Sequence, residues 1–374
     1  MNQKEISELR RRFQPQKTAI TQIYGCYVND NKEIVSYIDE PMAMLPEDEI
    51  NLYLSLMKKS LSGKQGKNLI DIVFSTEQVM DSEEHKMLMG LRDCRLQDHD
   101  QREAFYHKVI DCLEMEASSY LILLGFDVYD VPYQAKDGAR LRDASDNVYR
   151  YIVCAICPVV DGKQELGYFS GDNEFHNRAA AQVVSAPELG FLFPAFDDRT
   201  ANIYNALFYA RKPDELHHEF INGVFHVDAP MTPSEQRAAF RLALSEAEIC
   251  GMNVIQGLHE QLKGAIDAHK EAKIPEPLTV SAKDMAAILT DCGAEPEKII
   301  AFEKSFGEQF GDGVVLSPEN LIDSNKFEIK SGEATVGVEP EHSYMIESRM
   351  IGGRKYILVP VDVDTEINGF SVSV

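Results

Sequence analysis

Two hydrophobic rhythms alternate along this chain. Ala19-Ile-Thr-Gln-Ile-Tyr-Gly-Cys-Tyr-Val28 and Glu33-Ile-Val-Ser-Tyr-Ile38 are rich in β-branched and aromatic residues, and they flank Asn29-Asp-Asn-Lys32, whose residue types tolerate tight dihedrals. They predict a hairpin. Pro46-Glu-Asp-Glu49 then opens a helix with proline and carboxylates in its first turn. Ile50, Leu52, Leu54, Leu56, Met57 and Leu61 supply its apolar face before Gly63. Strand character returns in Lys67-Asn-Leu-Ile-Asp-Ile-Val-Phe74, and helices are expected near 82–96 and 100–116. Further strands follow at 119–131 and at Tyr149-Arg-Tyr-Ile-Val-Cys-Ala-Ile-Cys157.

From Ala229 the rhythm turns helical. Thr232-Pro-Ser-Glu235 has the side chains that satisfy orphan amides at a helix start and predicts a helix to about Cys250; a second should run to Lys273, where Ile274-Pro-Glu-Pro277 cannot stay helical. Ser281-Ala-Lys-Asp284 is a further capping box. Two helices joined at Cys292-Gly-Ala-Glu-Pro296 outline a helical hairpin, and Gly352-Gly353 between two alternating runs predicts a β-hairpin. The expected class is α+β. A mixed-sheet, mixed α/β domain fills 1–228, a helical segment 229–275, and a helical hairpin with a small β-rich unit 276–374.

Composition narrows the functional classes. With 374 residues the chain is long enough for more than one core, and a net charge of −24 disfavours nucleic acid and anionic membranes as partners. Lys4, Arg10-Arg11-Arg12 and Lys17 form the one basic run, either a solvated helix face or an anion contact. Seven scattered cysteines, an odd number, suit a reducing compartment better than a disulfide framework. With no secretory pattern at the N-terminus and no membrane-length apolar run, the expected location is cytoplasmic. In Cys154-Ala-Ile-Cys157 the two thiols have knuckle spacing, but on a strand residues three apart point to opposite faces.

Candidate chemistry concentrates in one stretch. The apolar run Phe191-Leu-Phe-Pro-Ala-Phe ends in Asp197, Asp198 and Arg199; Tyr204, Tyr209 and Arg211 follow, then His217, His218 and Glu219. The first six polar and aromatic residues are candidate ligand contacts. His217, His218 and Glu219 are candidate metal ligands, because imidazole and carboxylate are what divalent-metal sites use; a polar helix start is the alternative. No nucleophile elbow, zinc-protease motif or phosphate loop is present, so any cofactor is unknown and enzymatic activity stays open. The leading expectation is a binding or regulatory protein that recognises a protein partner or small ligand. The alternative is a metal-dependent hydrolase built on Asp197, Asp198, His217, His218 and Glu219.

Ser60-Leu-Ser-Gly63, Leu91-Arg-Asp93, Tyr129-Asp-Val-Pro132, Tyr151-Ile-Val-Cys-Ala-Ile-Cys-Pro158 and Gly190-Phe-Leu-Phe-Pro-Ala-Phe-Asp-Asp-Arg199 together resemble a family of clostridial and related Firmicutes proteins, domain of unknown function family 4317. The resemblance also takes in Lys4-Glu-Ile-Ser-Glu-Leu-Arg-Arg-Arg12 and most of the chain. It implies a bacterial, cytoplasmic setting and assigns no residue a role.

Overall fold

A computed structural model describes residues 1–115, 119–134, 140–162, 165–171, 173–178, 182–361, 365–367 and 370–372. The chain is α+β and divides into two compact units, Met1–Thr232 and Pro233–Val374.

The first unit begins with α1 (Gln3–Arg10), the hairpin β1 (Gln22–Val28) and β2 (Ile34–Pro41), α2 (Glu47–Lys59) and β3 (Leu69–Val73). Three helices follow: α3 (Thr76–Asp81), α4 (Glu83–Asp93) and α5 (His99–Cys112). The strands β4 (Ser119–Gln134) and β5 (Arg140–Asp161) come next, then β6 (Glu165–Phe169), β7 (Glu174–Arg178) and β8 (Gln182–Val184). After β9 (Leu189–Phe193), a small hairpin of β10 (Ala195–Asp197) and β11 (Thr200–Asn202) leads to β12 (Asn205–Ala210) and α6 (His218–Phe225). The main sheet runs β2-β1-β4-β5-β9-β12-β3, with β8 also on β5, and each of these pairings is antiparallel.

Both faces of this sheet are buried, which is why its central strands read as continuous apolar runs. Side chains alternate across the pleat, so Ile122, Leu124, Ile152 and Ile156 join one core with α4, α5 and α6, while Leu121, Leu123, Val153 and Ala155 join the other with α1 and α2. Cys154 and Cys157 fall in different cores, as strand geometry requires, and cannot share an ion. Burial pushes the Cys154 thiol far up and Cys157 to about 12, so neither is a nucleophile near neutral pH. The short α3 is not announced by apolar spacing; its capping box on Ser75 and Gln78 starts it.

In the second unit α7 (Pro233–Glu246) and α8 (Met252–Ala272) are followed by β13 (Val280–Ser281), α9 (Ala282–Asp291), α10 (Pro296–Phe310), β14 (Val315–Leu316) and α11 (Pro318–Leu321). Phe240, Leu244, Leu262, Met285, Phe302 and Phe306 form its core. The expected helix to Cys250 stops at Glu246, and Glu248 takes φ 54°, which breaks the helical path. Ser281 and Asp284 make the reciprocal cap expected of them. Hairpins then close the chain: β15 (Phe327–Ser331) with β16 (Ala334–Val338), and β17 (Glu347–Ile351) with β18 (Arg354–Leu358), turned by Gly352 and Gly353 at φ 57° and 79°. A last pair joins β19 (Thr365–Ile367) to β20 (Phe370–Val372). Among the described residues no helix is long and apolar enough to cross a membrane.

Candidate functional site

The polar residues singled out by sequence lie at opposite ends of one strand. Because β9 and β12 are antiparallel, Asp197 sits beyond the end of β9 that adjoins the start of β12, whereas Arg211 and His217 lie past the other end of β12. Six residues of strand hold the two groups apart by about 20 Å.

At the first end, Asp197 and Thr200 pair across a two-residue turn in which Asp198 has φ 47° and Arg199 φ 59°. This is the dihedral pattern a type I′ turn demands, filled here without glycine. Arg199 is fully engaged in holding the fold: its guanidinium meets Glu8 at 2.6 Å and donates to the Pro132 carbonyl at 3.0 Å, and its backbone N–H donates to Glu5 at 3.2 Å. Asp197 accepts from Asn202 at 3.1 Å. Oxygens of Glu5, Asp197 and Asp198 come within 4.8 Å of one another. Glu5 already takes two backbone N–H groups, from Asn2 and Arg199, and burial nevertheless raises its carboxyl above the usual range. Tyr204 is half exposed beside the strand and Tyr209 is buried in the sheet core, so neither joins Arg199 in a pocket.

Beside this corner runs a buried polar chain that sequence inspection does not reveal. Asp127 is 1% exposed and accepts from Arg12 at 2.7 and 2.9 Å, from the backbone of Ala19 and Val128 at 2.9 Å each, and from the Tyr151 hydroxyl at 2.7 Å. Arg12 also lies over the Tyr129 ring at 4.5 Å, and the Tyr129 hydroxyl donates to Glu8. One member of the basic run is therefore neither a solvated face nor an anion contact. A buried carboxylate in the middle of a strand, just past an apolar run, needs a cation, and Arg12 is placed to supply it.

At the second end the strands build a cavity. Leu189 pairs with Ala210, which brings Glu188 and Arg211 face to face: the Arg211 N–H donates to the Glu188 carbonyl at 2.8 Å and the side chains meet at 3.4 Å. With Lys212, Glu215, Glu114 and His217 they line a space of about 430 Å³. His217 holds a left-handed backbone, φ 51° and ψ 63°, immediately before α6. Its ring contacts the Glu114 backbone, and its Nε2 is buried with no partner, so that contact falls to Nδ1. Nδ1–H held by a carbonyl leaves Nε2 a lone-pair acceptor. Burial lowers the His217 pKa, against the opposing pull of that contact and of nearby carboxylates, and keeps the ring neutral.

The structure does not bring the expected metal set together. Among the described residues no three of Asp197, Asp198, His217, His218 and Glu219 present donor atoms within 4.8 Å of one another. His218 and Glu219 are exposed in the first turn of α6 and diverge from His217, which turns inward. Sequence reasoning singled out Arg211 and His217 but not Glu188, the natural partner of Arg211 once the two strand ends are paired.

The family model described as "Domain of unknown function (DUF4317)" matches residues 1–370. The chain belongs to this family. No curated protein matches it at a significant level. Nothing known of a relative therefore assigns this cavity a ligand, and its chemistry has to be read from its own walls.

Proposed function

We propose that the protein binds a small polar ligand in the cavity lined by Arg211, Lys212 and His217. The observation that carries the reading is His217 itself. A buried acceptor nitrogen without a donor costs free energy on the order of 1–3 kcal/mol, and it is held there by a backbone conformation that few residues adopt. A ligand N–H or O–H would satisfy it. Arg211 spends one side-chain N–H on Glu188 and can turn others to an acidic group of the same ligand. The volume of about 430 Å³ falls within the range of metabolite sites. Seven free thiols, three of them buried, support a reducing cytoplasmic setting, and the family resemblance supports a bacterial one.

The experiment is a thermal-shift screen of amino acids, dipeptides and small carboxylic acids, run beside mass spectrometry of small molecules released from freshly purified protein. We expect at least one compound to raise the melting temperature by several degrees in the wild type and in neither Arg211→Ala nor His217→Ala. No shift in the panel, together with no co-purifying compound, would end this reading.

A further inference from the structure

The second unit contains a cavity of about 500 Å³ whose walls are unlike the rest of this acidic chain. Arg237, Arg241, Lys326 and Lys330 stand against Asp323 and Glu328, four cations to two carboxylates, whereas the whole chain carries −24. Low-dielectric walls of one sign concentrate counter-ions, so the local balance, not the global one, decides what enters.

The four cations are not equally occupied. Glu328 is held at 2.5 Å by Lys326 and 2.8 Å by Lys330, which neutralises about one of the two lysines. Arg237 donates to the backbone carbonyls of Asn320 at 3.3 Å and Ile322 at 3.4 Å; its guanidinium is thereby fixed in place while keeping its charge. Arg241, on the same helix and exposed, makes no ion pair or hydrogen bond among the described residues. Its position one turn on from Arg237 puts two guanidinium groups on one face of α7.

The remaining wall is apolar. Phe240, Leu258, Ile322 and Phe327, each at most 9% exposed, contribute to it. His259 closes one side, its Nε2 against the Asp323 carbonyl at 2.9 Å and its ring edge-on to Phe327 at 5.2 Å, while its Nδ1 is buried with no partner. Since Nε2–H donates, Nδ1 is an acceptor in want of a donor.

We propose that this cavity binds a small organic anion, with a phosphate or carboxylate headgroup between Arg237 and Arg241 and an apolar body against Phe240 and Phe327. The apolar wall argues against a bare inorganic ion, and the excess of guanidinium and ammonium argues against a neutral or cationic molecule. The site stands on the second unit alone and is independent of the His217 cavity.

The test is calorimetric titration of the full chain with octyl phosphate, with octanol as the headless control and inorganic phosphate as the bodiless one. One octyl phosphate per chain is expected, with each control at least tenfold weaker. Arg241→Glu should weaken octyl phosphate at least tenfold without moving the melting temperature, because Arg241 holds nothing in the fold. Lys330→Glu, on a side chain 71% exposed, should weaken it at least threefold. His217→Gln should leave it unchanged. Octanol binding as tightly would reduce the site to an apolar hole, and inorganic phosphate binding as tightly would reduce it to an adventitious anion contact. Either result, an unchanged affinity in Arg241→Glu, or a loss in His217→Gln overturns the proposal.

Discussion

Each of the two units contains a cavity, and each cavity has one histidine treated in the same way. In the first unit the His217 ring is tied to the Glu114 backbone and Nε2 is left buried and unpaired; in the second, His259 gives Nε2 to the Asp323 carbonyl and Nδ1 is the orphan. The surroundings then differ. Three carboxylates and two cations, closely paired, surround His217, whereas four cations and two carboxylates over an apolar wall surround His259. A neutral imidazole with one nitrogen fixed by a carbonyl is a directional acceptor, and its neighbours choose the charge of what it accepts from. The pair teaches that the chain's overall acidity matches the sign of the first site and is a poor guide to the second.

The frames beneath the two cavities differ as well, and this gives the largest expected effect. The first unit rests on the buried Arg12–Asp127 pair, so Arg12→Ala should cost about 3–5 kcal/mol by stranding a carboxylate that is 1% exposed. The second unit rests on aromatic packing in which Phe302 is fully buried, and Phe302→Ala should cost a similar about 3–5 kcal/mol. Hydrogen exchange by peptide separates them. Arg12→Ala should raise exchange in 1–232 and spare 233–374, and Phe302→Ala should do the reverse. A uniform rise in both would mean that the units unfold as one, and the comparison would lose its basis.

These frames were legible to very different degrees. Apolar rhythm with local cap and turn residues yields the β1–β2 hairpin, the helix at Glu47–Lys59, the Ser281 cap and the Gly352-Gly353 turn, because each is decided by residues within a few positions of one another. The sites are decided by partners far apart: Arg12 meets Asp127 across 115 positions, and His259 meets Asp323 across 64. Proximity in sequence was actively misleading for Asp197 and His217, since β12 between them acts as a spacer. The one long-range clue available was pairing: the apolar runs at 189–193 and 205–210, once set antiparallel, bring Glu188 opposite Arg211.

Acid should probe both histidines together. Burial lowers both pKa values, so between the folded value and about 6.5 the unfolded chain binds more protons than the folded one. Stability therefore rises with pH through that window, is level above it with respect to these groups, and is lost as pH falls below about 6.5. Opposing shifts come from Glu188, Glu215 and Glu219 around His217 and from Asp323 around His259, while Lys263 reinforces the lowering at His259. Urea midpoints at pH 7.5 and 5.0 should differ less in His217→Gln and in His259→Gln than in the wild type, each by its own share. If one variant keeps the full wild-type difference, that ring is not a buried neutral acceptor and the parallel between the cavities fails.

The smallest effect expected is at the turn the sequence made most conspicuous. Asp198 sits at φ 47° in a position where type I′ turns favour asparagine, aspartate or glycine, and its carboxylate lies within 4.8 Å of those of Glu5 and Asp197. Asp198→Asn keeps the shape, suits the left-handed dihedral and removes one of three crowded negative charges. It should therefore stabilise the first unit by about 0.5 kcal/mol, within the scale of a relieved surface charge contact. A destabilisation above about 1 kcal/mol, reproduced by chelator treatment of the wild type, would mean that a cation holds the three carboxylates together. In that case the acidic corner, not the His217 cavity, would be where the first unit binds.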